Sequence, residues 1–65
     1  MTSASAIAVI LHTIPGSQGY EIWLVYSHNR REMLVVLSPS VSLEAARAIA
    51  SLVAVQNQLK IFEED

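Results

Sequence analysis

There is no cysteine in these 65 residues, which excludes a disulfide framework, a zinc-thiolate centre and a thiol nucleophile together. Basic residues are scarce: four Lys and Arg against six Asp and Glu give a formal charge of −2, leaving no global positive field to hold a nucleic-acid backbone. Charged residues make up 15% of the chain, well below the roughly 25% of an average soluble domain. Glycine and proline number two each, too few for a linker or a low-complexity tract. The apolar stretch from Ala6 to Leu11 stops at His12 with no Lys or Arg before it, far short of the about 20 residues of a spanning helix. No membrane segment or leader is expected, and the expected location is the cytoplasm.

What remains is apolar. Hydrophobic residues are 52% of the chain, which excludes intrinsic disorder. The length allows one domain, 1–65. Domains this small without disulfides or metals commonly complete their buried surface by oligomerising or by very efficient packing.

Three strand-like segments come first. Residues 6–14 are rich in Ile, Val and Leu and end at Pro15-Gly16-Ser17-Gln18-Gly19, a turn composition. Residues 20–26 carry the aromatic and β-branched content of a strand and stop at Ser27-His28-Asn29-Arg30-Arg31. Residues 32–37 complete the set, and the short connections predict an antiparallel meander over 6–37. After Ser38-Pro39-Ser40 the pattern turns helical: Ser42 suits an N-cap, Glu44 lies in the first turn, and the Ala- and Leu-rich run predicts a helix over 42–60. Residues 1–5 read as a flexible polar arm and 61–65 as an acidic tail. The expected fold is α+β: two layers, a three-stranded antiparallel β-meander followed by one C-terminal helix, β-β-β-α.

Side chains alternate across a strand. By that period Tyr20, Ile22, Leu24 and Tyr26 oppose Glu21, Trp23, Val25 and Ser27, while Met33, Val35 and Leu37 oppose Glu32, Leu34, Val36 and Ser38. Neither side is clearly polar, unlike a sheet with one solvated face. One helix covers one face, so the other is expected to expose either Trp23 or the pair Tyr20 and Tyr26 with several aliphatics, an arrangement that usually marks an interface. On the helix, Ala45, Ile49, Leu52, Gln56 and Leu59 form a 4-3-4-3 series opposite Glu44, Arg47, Ser51 and Gln58, with Ala46, Ala50 and Val53 on its flank. Packing of this series on the chain's own sheet is the leading expectation, and a self-associating seam the alternative.

Groups that carry chemistry are thin. His12 and His28 have no ligand spacing between them, and no serine sits in a strand-turn-helix elbow. Glu21 and Glu32 fall on neighbouring strands as ordinary sheet-edge charges. The Pro15–Gly19 turn is not followed by a helix and so lacks the amides of a phosphate loop. No catalytic residue, metal site or cofactor is assigned.

The expectation is therefore a non-enzymatic interaction protein: a regulator, adaptor or inhibitor of a larger protein, of the kind phages and mobile elements encode, acting as a homodimer. Partner contacts are assigned to Tyr20, Trp23, Tyr26, His28, Asn29, Arg30 and Arg31, and the dimer interface to Trp23, Val25, Leu34, Val36, Ala46 and Ala50. The alternatives are a dimeric nucleic-acid-binding regulator using the Arg30-Arg31 hairpin, for which little charge is on offer, and a small structural subunit of a larger assembly.

Overall fold

The computed structural model describes residues 5–27 and 29–65. The order is β1 (Ala8–Thr13), β2 (Tyr20–Ser27), β3 (Arg30–Leu37), α1 (Leu43–Gln56) and β4 (Lys60–Glu64). The fold is α+β with one helix, but the sheet has four strands in the order β3-β2-β1-β4 and is mixed: β1–β2 and β2–β3 are antiparallel, whereas β4 pairs parallel to β1. The meander of the first three strands is present. In place of the expected acidic tail, residues 60–64 form the fourth strand.

The first turn explains itself through glycine. Gly16 and Ser17 hold φ of 78° and 58°, and the Ile14 amide donates to the Gly19 carbonyl at 3.0 Å. Gly19, at φ 109°, is packed so tightly that a Cβ there would lie 2.4 Å from the Leu37 carbonyl oxygen. No side chain fits this position, which is where the hairpin meets the end of β3.

In β3 the expected alternation fails for a definite reason. Ile22 pairs with Val35 but Trp23 pairs with Met33, leaving Leu34 as the extra residue of a bulge. A bulge reverses the parity of everything before it, so Met33 joins Trp23 on one face while Leu37 packs with Tyr20 on the other. Met33, Val35 and Leu37 therefore do not share a face. A second irregularity leaves Tyr26 unmatched between Val25, which pairs with Arg31, and Ser27, which pairs with Arg30.

The helix begins where expected. Ser42 is extended and its hydroxyl accepts from the Ala45 amide at 3.1 Å, with Glu44 in the first turn. It ends earlier than expected, at Gln56. The Leu59 amide donates to the Ala54 carbonyl at 2.8 Å and the Gln58 amide to the Val55 carbonyl at 3.2 Å, the paired bonds of a Schellman stop. Its left-handed position is Gln58, at φ 57°, rather than a glycine. That stop turns the chain back to the free edge of β1, and a parallel neighbour is reachable only through such a crossover.

The face that α1 buries also differs from the expected series. Ala46, Ala50 and Ala54, one turn apart, are buried against Val9, Leu11 and Ile22, with Tyr20, Leu24, Leu37, Val41, Leu43, Val53 and Leu59 around them. Ala45, Ile49 and Leu52 are exposed. The alanine stripe packs on β1, β4 and β2, and its small side chains let helix and sheet approach closely. Outside it, Arg47 of α1 clamps β4: its Nε and Nη2 donate to the two Glu63 carboxylate oxygens at 2.9 and 3.0 Å.

Replacing Gln58 by Gly removes a left-handed penalty of about 1–2 kcal/mol and returns part of it as unfolded-chain entropy, so a gain of about 0.5–1 kcal/mol is expected in denaturant melts. A loss of stability would rule out the proposed stop. Hydrogen bonding to Arg47 holds the Glu63 carboxyl below its ordinary value of 4.5; desolvation opposes this and the positive charge of Arg47 adds to it. A depressed folded value means that the pair's contribution is complete above the unfolded carboxyl value and is lost as pH falls through the folded one. Carboxyl-detected NMR should place the Glu63 midpoint below 4.5, returning toward it in Arg47→Gln; an ordinary midpoint in the native chain would remove the clamp.

Candidate protein-docking face

The register places three rows across the sheet on the side away from α1. In the middle row Met33, Trp23, Ile10 and Phe62 are neighbours on β3, β2, β1 and β4. Beside it on one side run Val36, Glu21, His12 and Glu64, and on the other Arg31, Val25, Ala8 and Lys60. The middle row is wholly apolar, with Met33 42% and Phe62 54% exposed. Among the described residues no element lies over it, since the helix turns its buried stripe to the opposite face.

Charged side chains partly screen its centre. The Arg31 guanidinium lies 5.2 Å from the Trp23 ring centroid and reaches Glu64 at 3.5 Å. The Trp23 indole N–H donates to Glu21 Oε1 at 3.3 Å. His12 stands between the two carboxylates, Nε2 3.9 Å from Glu21 and Nδ1 3.2 Å from Glu64. The shorter contact is out of line for a hydrogen bond, so among the described residues the buried His12 Nδ1 has no hydrogen-bond partner. Among the described residues no three His, Cys, Asp or Glu side chains are placed to hold a metal ion.

The residues assigned from sequence are divided by this geometry. Trp23 and Val25 lie on the open face, as does Val36, and Leu34 is exposed in the bulge. Arg31 lies over Trp23, whereas Arg30 stacks on Tyr26 at 5.3 Å and Asn29 is exposed in the turn. His28 lies outside the described residues. Two groups of assignments need correction. Tyr20 packs against the helix-side core, and Tyr26 lines a hollow with Leu24 and Asn57 at the helix end, so neither tyrosine shares a surface with Trp23. Ala46 and Ala50 are buried under the helix and present nothing to a partner. Glu21 and Glu32, expected as ordinary charges of the sheet, pair with Val36 and Leu24 and so lie on opposite faces.

Sequence reasoning missed Ile10, Met33 and Phe62 in the apolar row, and Glu64 and Lys60 beside it. The one available signal was the strand propensity of Ile61-Phe62. A second apolar strip runs along the outer side of α1, where Leu52 and Val55 are 58% and 74% exposed. It has no aromatic residue. A hollow of about 480 Å³ beside the Pro15–Gly19 turn is lined by Tyr20 and the hydroxyls of Thr13, Ser17, Ser40 and Ser42, with no carboxylate, histidine, lysine or arginine. No helix among the described residues is long and apolar enough to cross a membrane.

Removing the Arg31 head group should bare the indole: Arg31→Ala is expected to red-shift Trp23 fluorescence and increase its quenching by acrylamide, with little change in stability since the pair is half exposed. Unchanged quenching would mean that Arg31 does not cover Trp23. Comparison of the chain with protein-family models, with curated proteins and with solved structures found no match.

Proposed function

We propose that this chain is a non-catalytic interaction module that docks through its open sheet face onto protein, as a regulator, adaptor or inhibitor. The supporting observation is the continuous row Met33, Trp23, Ile10 and Phe62, apolar and uncovered by the chain's own helix. Large exposed apolar patches on small domains mark interaction sites, and aromatic and Met side chains dominate their energetics. The flanking Glu21, Glu64, Arg31 and Lys60 form a charged rim, which sets orientation more than affinity. Arg30 and Arg31 are both occupied, one over Tyr26 and the other over Trp23 and against Glu64, which leaves a nucleic-acid backbone little free positive charge to meet.

Met33 and Phe62 give the direct test because they are exposed and their replacement leaves the core intact. Met33→Glu and Phe62→Glu are expected to change folding stability by less than about 1 kcal/mol while abolishing association with any protein that wild type binds, itself included. Leu52→Glu, on the outer side of α1, is expected to leave association intact. The reverse pattern, binding lost in Leu52→Glu and kept in the other two, would overturn the sheet-face reading.

A further inference from the structure

The open face is charged unevenly along its strands. On one side of the apolar row stand the acids Glu21 and Glu64; on the other stand the bases Arg31 and Lys60. Such a face is complementary to itself in one orientation and not in another. We propose that its occupant is a second copy of this chain, docked about a two-fold axis lying in the interface and parallel to the Met33–Trp23–Ile10–Phe62 row. This rests on the reading of that face as a docking surface.

A two-fold axis in this direction keeps each strand over its own counterpart and exchanges the two charged flanks. Lys60 then faces the partner's Glu64, and Glu64 faces the partner's Lys60. Arg31 comes over the partner's Val36, one strand from the partner's Glu21. The apolar row stacks on its own image, in the aligned face-to-face manner of packed sheets. An axis along the strands instead leaves the flanks in place and exchanges the outer strands, so that Arg31 meets the partner's Lys60 twice. Like charges facing across an interface are costly, and this selects the first arrangement.

One side chain has to move. Arg31 now crosses Trp23 to Glu64, but that pair is half exposed, and exposed pairs are weak. In the dimer the partner's Lys60 takes its place on Glu64, and Arg31 is released toward the partner's Glu21. Strands about 4.8 Å apart with residues about 3.3 Å apart make the footprint on the order of 300 Å² per chain, less than half of the about 800 Å² per partner that a standard stable interface buries. A weak, reversible dimer is therefore expected.

Sedimentation equilibrium of the whole chain from micromolar to millimolar concentrations tests this, with NMR dispersion confirming that each variant is folded. Lys60→Glu and Glu64→Lys are each expected to weaken the dimer about tenfold or more, and the two together to restore it, since the swapped pair is again complementary. Tightening by Lys60→Glu, which the strand-parallel axis requires because Glu at 60 would then meet Arg31, overturns the proposed orientation. A monomer at every concentration overturns the second copy as occupant; the docking reading itself then stands or falls on whether binding to other proteins depends on Met33 and Phe62.

Discussion

A sheet has two faces and this chain has one helix to spend on them. Everything else in the molecule is arranged around that shortage. The helix uses a stripe of alanines to sit close over Val9, Leu11 and Ile22, and these are the only large side chains among the described residues that are fully withdrawn from water. Close approach gives efficient packing but little apolar area, because alanine buries little surface of its own. The core is therefore thin, and aliphatic and aromatic residues that a larger domain would enclose stay at the surface, on the open face of the sheet and along the back of the helix.

The fourth strand connects both sides of the sheet. Within three consecutive residues it sends Phe62 and Glu64 to the open face and Glu63 to the helix face, where Arg47 holds it. Strand alternation makes this automatic once β4 is in register with β1. The register has to be held by something, and the Schellman stop at Gln58 with the Arg47–Glu63 clamp does so from the two ends of the short segment. Loss of β4 would open the edge of β1, remove Phe62 from the apolar row and remove Glu64 from the vicinity of His12 and Arg31. The candidate site is thus built by the last element of the fold to appear along the chain.

Much of this was legible in the residues and part of it was not, for identifiable reasons. The hairpin at Pro15–Gly19, the three-strand meander and the Ser42 cap carry local signals, and each was found. The helix end was missed because its left-handed residue is Gln58, which carries none of the information that a glycine would. The strand after it is short and follows good helix formers, and Glu63-Glu64-Asp65 looks like a solvated end. Faces were the harder problem. A bulge at Leu34 inverts the alternation of β3, and nothing in Met33-Leu34-Val35-Val36 announces it. On the helix, the eye follows Ile49 and Leu52 because they are large, whereas the tight helix-sheet gap selects Ala46, Ala50 and Ala54. That a face would remain uncovered and apolar followed from counting elements, and it did not depend on these details; which aromatic residues lay on it did.

The position of Arg31 changes what an uncovered face means. A bare row of Met, Trp, Ile and Phe would adhere to any apolar surface and to unfolded chains. With the guanidinium 5.2 Å from the Trp23 ring and 3.5 Å from the Glu64 carboxylate, the aromatic part of the row is screened by a charged lid. An arriving surface that is merely apolar must displace that lid and leave Arg31 and Glu64 without each other. A surface that presents a carboxylate for Arg31 and a cation for Glu64 displaces it at little electrostatic cost. On the proposed docking reading the same pair screens the apolar row and favours a partner of complementary charge, without requiring the backbone to move.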